Sequence, residues 1–206
     1  MDPIILIFEL IVLIFSVMIH EISHGFTAYR FGDTTAKDAG RLTLNPMKHI
    51  DPFGSVLVPL MLFVFRSPIL FGWAKPVPFN PGNLKNVKRD SGLIALSGPL
   101  SNFLIAVVFS LIAKALVFIF HISPADNLIA FLDIIILINV ALGTFNLVPL
   151  PPLDGSKVLF SVLPRGTEKF QFFLEQYGFF LVILFIFLGF QLIIPVISAI
   201  YGFLAV

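Results

Sequence analysis

Two histidines and a glutamate stand at the end of the first apolar stretch of the chain. His20, Glu21 and His24 form an HExxH motif, with the sequence HEISH. On a helix of about 100° per residue, the two histidines lie about 40° apart on one face, with Glu21 at its margin. Two imidazoles one turn apart can share a zinc ion, and the carboxylate beside them can take a proton from a zinc-bound water. The motif indicates metal-assisted hydrolysis.

The surroundings of the motif matter because HExxH also occurs by chance in unrelated chains. Residues 3–19 carry one charge in 17 positions, so the motif follows a run long enough to enter a bilayer. Histidine and glutamate are costly at membrane depth unless they pair or bind something. The sequence therefore favours a metal site, and hydrolysis inside the membrane, over an accidental match.

The composition identifies the class of protein. Hydrophobic residues make up 58% of the 206 positions and charged residues only 12%, whereas a soluble domain carries about a quarter charged residues. An integral membrane protein is the class that fits, and the 25 Phe residues suit lipid-facing surfaces. A formal charge of +1 implies no nucleic-acid partner, and with no Cys a metal must be held by histidine and carboxylate.

Four stretches are apolar and long enough to span a membrane as helices. They are residues 3–29, 91–120, 127–145 and 178–206. The last is interrupted by Pro195 and is either one kinked span or a tight helical hairpin. Residues 53–73 are ambiguous, because their apolar part is 13 residues long with Pro59 in its middle, short of the roughly 20 that a span needs.

The distribution of basic residues bears on this ambiguous segment. Most of them fall at 30–48, 75–89 and 157–169, and the link 121–126 has none. The positive-inside rule places all three clusters in the cytoplasm, which is impossible if residues 53–73 cross fully. A re-entrant or partly embedded segment makes the count consistent and places HEISH near the cytoplasmic end of the first span. A full span with a weak charge rule is the alternative.

The predicted fold is an all-α polytopic helical bundle of about 4–6 spans, with a short re-entrant or β-like segment near the active site. No internal repeat is evident, and the polar stretches are loop-sized. The prediction is therefore one domain, residues 1–206, with a core at 1–160 and a C-terminal helical segment at 178–206.

A catalytic zinc usually takes three protein ligands and keeps one position for water. Three acids lie within or near the spans: Glu9, Asp133 and Asp154. Glu9 precedes His20 by 11 residues, about 16 Å along a helix, and Asp133 lies towards the external end of the third span. Asp154 is therefore the candidate.

Asp154 follows a proline-rich segment, with three prolines among residues 149–152. Such a segment stops a helix and holds the backbone extended, which would place the carboxylate at the depth of HEISH. A solvated turn aspartate before Gly155 is equally compatible with the segment alone. Together with HEISH and the topology, the ligand interpretation is favoured.

These motifs together resemble the site-2 protease family of intramembrane zinc metalloproteases, peptidase family M50, in a compact form without a PDZ domain. The resemblance rests on HExxH in a first span and on NLVPLPPLDG at residues 146–155. GPLSN at 98–102 and GWAKPVPFN at 72–80 are similar to the same family. The similar region covers residues 15 to about 160.

The resemblance implies that His20, His24 and Asp154 bind one zinc per chain, that Glu21 is the catalytic base, and that Asn146 lies beside the active site and binds the substrate backbone. It also implies transmembrane protein substrates, the lipid bilayer and an upstream protease as partners. The expected location is the cell membrane of a prokaryote, with the active site towards the cytoplasm, in regulated intramembrane proteolysis.

Mechanism adds one hypothesis. A helical substrate must unwind before its carbonyl can be attacked, and either residues 146–153 or the 53–80 loop could pair with it as a strand.

The alternative from another class is a metal transporter or a non-proteolytic metal-binding scaffold. A transporter more often shows repeated ligands or inverted repeats, and neither is seen in this sequence.

Three further residues carry weaker expectations. His49 is predicted to be a surface group and His121 an interfacial one. Three explanations fit Glu9: a water path, a pair with Lys114 and a position near the outer interface.

Overall fold

A computed structural model describes residues 3–57, 61, 64 and 75–206. Its helices are α1 (Pro3–Arg30), α2 (Thr35–Asp38), α3 (Val87–Phe118), α4 (Asn127–Asn146), α5 (Asp154–Val162), α6 (Glu168–Leu184) and α7 (Phe190–Leu204). Short 3-10 turns are found at Pro46–Lys48 and Pro81–Asn83, and π-helical turns at Pro52–Leu57 and Phe185–Gly189. No strand occurs in the described part of the chain.

Four helical stretches of the described residues are long and apolar enough to cross a membrane. They are Pro3–Arg30, Val87–Phe118, Asn127–Asn146 and Glu168–Leu204. The predicted all-α polytopic fold is therefore confirmed, and the chain is a multi-pass membrane protein. The proposed re-entrant segment, residues 53–73, lies for the most part outside the described residues.

The last stretch differs from its prediction in where it begins. It starts at Glu168 instead of residue 178 and continues through Pro195 to Leu204. Polar side chains at Glu168, Lys169 and Glu175 lower the hydropathy of its first turns, so an apolar count misses them. The segment is one continuous helical stretch with a π-helical turn at Phe185–Gly189, which agrees with the single-span alternative and not with the hairpin.

Helix α3 is the hub of the packing and contacts α1, α4 and α5. Small and branched side chains let these helices approach closely, as is usual between membrane helices. One buried cluster joins α3, α4 and α7 through Ala106, Ile136, Val140, Ile197 and Leu204. A second cluster lies at the C-terminal end of α1, where Ala28 packs on Leu84 and Ile94. These contacts place the face of α1 that carries the histidines against α3.

Residues 75–80 form an extended segment, called the strap below, that lies beside α1. At one end, the Lys75 N–H donates to His49 O at 2.9 Å, and Arg41 Nη2 donates to Lys75 O at 2.6 Å. At the other end, the Asn80 N–H donates to Asp33 Oδ2 at 2.6 Å. Hydrogen bonds from two separate loops therefore hold the strap in place.

His49 is therefore not the surface group that the sequence predicts. Only 3% of the residue is exposed, and its Nε2–H donates to Thr43 O at 2.9 Å. The flanking Lys48 and Asp51 make the loop polar in sequence, but the imidazole is buried and hydrogen-bonded within its own loop. The main-chain carbonyl of His49 accepts the Lys75 N–H, so the loop of His49 is one of the two that hold the strap.

Asp33 is a fully buried carboxylate that joins the end of α1 to the strap. It accepts from the backbone and hydroxyl of Thr35, from the Asn80 N–H and from Asn83 Nδ2. Burial alone would raise the pKa of this carboxyl, but these donors outweigh it and hold the pKa below its usual range. The ionised form therefore stabilises the fold.

The variant Asp33→Asn is expected to lower the thermal unfolding temperature of the purified protein at neutral pH. A depressed carboxyl pKa contributes stability above the unfolded value of about 3.9, and this contribution is lost as the pH falls through the folded value. The difference in unfolding temperature between wild type and variant should therefore shrink as the pH falls below about 4. Asp38→Asn, at an exposed carboxylate of the same loop, is the control. A pH-independent difference would contradict the expectation.

Candidate metal centre

Three side chains predicted to bind a metal meet in the structure. His20 and His24 project from α1, and Asp154 is the first residue of α5. Asp154 Oδ2 lies 3.0 Å from His20 Nε2 and 3.1 Å from His24 Nε2. Among the described residues, these three form the one group of His and acidic side chains whose ligand atoms converge, all within 4.8 Å of one another.

The hydrogen bonds behind the two imidazoles determine which ring nitrogen faces the group. His24 Nδ1 lies 2.7 Å from Ile94 O, a carbonyl that can only accept, so Nδ1 carries the proton. His20 Nδ1 lies 2.7 Å from Asn102 Oδ1 in the same relation. In the neutral rings, both Nε2 lone pairs therefore point at the Asp154 carboxylate. Three acceptors that face one another are stable when a cation lies between them.

The donor set fits zinc. Two nitrogens and one carboxylate oxygen are a usual set for catalytic zinc, and they leave a fourth position for water. Ligand atoms that share a tetrahedral zinc at about 2.0–2.1 Å lie about 3.3 Å apart. The distances from Asp154 Oδ2 to His20 Nε2 and to His24 Nε2, 3.0 and 3.1 Å, are close to that value. The hydrogen bonds to both Nδ1 atoms are the support that zinc-binding histidines normally have.

The segment before Asp154 has a different backbone conformation from the one predicted. Helix α4 ends at Asn146, and residues 147–153 form tight turns instead of an extended strand. Leu150 N–H donates to Val148 O at 2.8 Å, and Leu153 N–H donates to Leu150 O at 2.9 Å. The prolines have no N–H, but the leucines between them supply the donors that close the turns. The expected extended conformation is therefore wrong, and the pairing of this segment with a substrate stays a prediction.

Glu21 lies next to the two histidines without joining their group. Its Oε2 accepts the N–H of Val77, in the strap, at 2.8 Å. The carboxylate is partly buried. The predicted base is thus tied to a segment that is 56 residues away in the chain.

Asn146 occupies the last position of α4, and its Nδ2 donates to Leu142 O of the same helix at 3.0 Å. That bond does not involve the histidines or Asp154. Its role in binding substrate stays a prediction.

Two further residues lie away from the centre. His121 is exposed just after α3. Lys114 Nζ donates to Phe203 O at 2.9 Å. This bond does not support a pair with Lys114 as the explanation of Glu9.

A buried polar network stands behind His20, and the sequence analysis did not identify it. Asn102 Nδ2 donates to Asn139 Oδ1 at 3.0 Å, and Asn139 Nδ2 donates to Ser16 Oγ at 2.9 Å. Both asparagines have no exposed surface. The network joins α1, α3 and α4, and it orients Asn102 Oδ1 towards His20. Asparagine in the middle of an apolar span is the signal that could have revealed it, because such a side chain needs partners at that depth.

Replacing Asn102 by Leu is expected to weaken zinc binding by about 10- to 100-fold, the usual effect of losing a hydrogen bond to a metal-binding histidine. Leucine has the same branching as asparagine but cannot accept the hydrogen bond from His20 Nδ1–H. The affinity is measured by competition with a chelator in the purified protein. Ser101→Ala, one residue away, is the control, and equal affinity in Asn102→Leu and wild type would exclude an orienting role.

Comparison with known proteins agrees with this site. The family model described as peptidase family M50 matches residues 8–189. YwhC of Bacillus subtilis, whose name assigns it provisionally as a zinc metalloprotease, is 38% identical over 198 residues, which cover 92% of this chain and 85% of YwhC. Rip2 of Mycolicibacterium smegmatis, named in the same way, is 30% identical over 172 residues, 82% of this chain and 62% of Rip2.

A third relative matches a smaller part of this chain. MJ0611 of Methanocaldococcus jannaschii, also named provisionally as a zinc metalloprotease, is 38% identical over 72 residues, 34% of each chain. No solved structure matches the chain significantly. The family match spans both HExxH and Asp154, and the identity to YwhC extends over nearly the whole length. The chain therefore belongs to peptidase family M50, the site-2 zinc metalloprotease family that its motifs resemble.

Proposed function

We propose that this protein is an intramembrane zinc metalloprotease that cleaves peptide bonds in or near the transmembrane helices of other membrane proteins. The observation that carries the proposal is the meeting of His20 Nε2, His24 Nε2 and Asp154 Oδ2 beside Glu21. The two histidines and Glu21 lie on a helix apolar enough to span a bilayer. The family supports a zinc metalloprotease, and the apolar helices support its action within the membrane.

In this proposal each residue of the centre has one task. His20, His24 and Asp154 hold one zinc ion per chain, and Asn102 and Ile94 O keep the imidazoles in the orientation that presents Nε2. When bound, zinc lowers the pKa of a water to about 7 and polarises the substrate carbonyl. Glu21 accepts the proton of the attacking water and delivers it to the leaving amine.

The substrate must expose a carbonyl before it can be attacked. In a helix each carbonyl accepts a backbone hydrogen bond, so the substrate helix has to unwind near the scissile bond. Gly, Pro and Asn weaken helices, and substrates that carry them there should be cleaved better. Asn146 is proposed to bind the unwound substrate backbone.

The proposed setting is the cell membrane of a prokaryote, with the site towards the cytoplasm. The basic clusters at 30–48, 75–89 and 157–169 support that orientation. The proposed partners are the bilayer and transmembrane substrates cut first by an upstream protease, in regulated intramembrane proteolysis; nucleic acid is not among them.

Zinc content tests the centre. Protein purified in detergent and dialysed against trace zinc should contain about one zinc per chain by mass spectrometry of the metal, and Asp154→Ala should lose most of it, because a catalytic zinc needs its three protein ligands. Asp133→Ala, a carboxylate in α4 that is outside the group, is the control. Equal zinc in wild type and Asp154→Ala would remove Asp154 from the site, and no zinc in either would overturn the proposal.

A further inference from the structure

We propose that the main-chain N–H of Val77 is a positioning group for the catalytic base: it holds the Glu21 carboxylate in its working orientation. The inference rests on the proposed function. It assigns a role in the reaction to the strap, residues 75–80.

The contact itself is the first observation. The Val77 N–H donates to Glu21 Oε2 at 2.8 Å, and Val77 is only 7% exposed. Pro76 and Pro78 flank Val77 and have no N–H, so this is the one donor that the backbone offers across those three residues. A hydrogen bond from an N–H to an ionised carboxylate is about twice as strong as a bond between neutral groups.

The second observation is that the strap is fixed on both sides of Val77. Arg41 is 6% exposed, and its Nη2 reaches the carbonyls of Lys75 and Pro76 at 2.6 and 3.4 Å. On the other side, Asp33 accepts the Asn80 N–H. A donor on a backbone held at both ends has little freedom, so the carboxylate that it binds is also confined.

The third observation is the way the strap reaches α1. Gly25 follows Glu21 by one helical turn and lies on the same face. A Cβ at Gly25 would lie 2.8 Å from Val77 Cγ1, closer than real Cβ contacts come. Because Gly25 has no side chain, Val77 can pack against α1 at a position from which its N–H reaches Glu21.

These contacts have a consequence for catalysis. A glutamate side chain turns about three single bonds, and a base that samples several rotamers is often out of reach of the proton it must accept. The Val77 N–H binds one carboxylate oxygen of Glu21, Oε2, and does not occupy the other, Oε1. The strap therefore orients the base, while the zinc ligands are held by other residues, Asn102 and Ile94.

The test removes the N–H and leaves the strap. Val77→Pro deletes the donor between two existing prolines. Lys75→Ala shortens an exposed side chain of the strap and keeps its backbone N–H groups, so it is the control. Wild type and both variants are reconstituted in lipid vesicles with a transmembrane substrate, and kcat, KM and zinc content are measured. We expect kcat of Val77→Pro to fall about 10- to 100-fold, the range for a misplaced catalytic group, with KM and zinc unchanged and Lys75→Ala close to wild type.

A second variant guards against a folding defect in Val77→Pro, which would appear as lost zinc. Incorporating the α-hydroxy analogue of valine at position 77 replaces the N–H by an ester oxygen and keeps the side chain. Wild-type kcat in the zinc-loaded ester variant, or in zinc-loaded Val77→Pro, would overturn the inference, as would equal losses in Val77→Pro and Lys75→Ala. A zinc-loaded wild type that cleaves nothing would instead refute the proposed function.

Discussion

Glu21→Gln is expected to lower peptide hydrolysis by about 10²–10⁴-fold, the usual contribution of a general base. Glutamine keeps the size of the side chain, and its carbonyl oxygen can still accept the Val77 N–H at the position of Oε2. It cannot take a proton from water at neutral pH. The variant should therefore retain its zinc and its fold while losing turnover.

The measurement is the rate of substrate cleavage in lipid vesicles, with zinc content determined on the same samples. Glu9→Gln is the matched control, because Glu9 is a carboxylate of the same helix but lies outside the metal-binding group. Cleavage at the wild-type rate by Glu21→Gln would show that another group accepts the proton. Loss of zinc together with activity would point to a structural role for Glu21.

Gly98→Ala is expected to abolish both zinc binding and cleavage. A Cβ at Gly98 would lie 2.5 Å from His24 Nε2 and 2.6 Å from His20 Nε2. These are the two nitrogens that face Asp154, so one added methyl group pushes against both of the imidazole ligands. Both rings are also held from behind, by Asn102 and by the Ile94 carbonyl, and cannot withdraw without breaking a hydrogen bond.

Zinc content and the cleavage rate measure this effect, and the unfolding temperature shows whether the fold survives. Alanine favours a helix over glycine by about 1 kcal/mol, so helix propensity alone would make Gly98→Ala more stable. Gly202→Ala in α7, where a Cβ would have no heavy atom within 4 Å, is the control for that effect. Full zinc loading of Gly98→Ala would show that α3 shifts to make room.

The sequence predicts which three side chains converge because each is marked locally. HExxH needs only helical spacing to bring His20 and His24 together, and Asp154 stands out as a carboxylate beside membrane-length runs. The first three spans are marked in the same way, by long apolar stretches whose bounds the structure nearly reproduces.

The rest depends on contacts between distant parts of the chain. Asn102 meets His20 across 82 residues, and Val77 meets Glu21 across 56. Neither pairing leaves a periodic pattern, so hydropathy and spacing cannot reveal it. The burial of His49 is hidden from the sequence in the same way, because its neighbours Lys48 and Asp51 indicate a surface loop.

The division of the ligands between α1 and α5 has a thermodynamic consequence. His20 and Asp154 are 134 residues apart, so a chain in which these helices have separated offers no complete set of ligands. A metal that binds only the folded state stabilises it by RT ln(1 + [metal]/Kd), about 2.7 kcal/mol at a hundredfold excess over Kd. An ion bound by these residues would thus also join the first helix to the C-terminal third of the protein. The free metal concentration would then set the folded fraction of the protein as well as its active fraction.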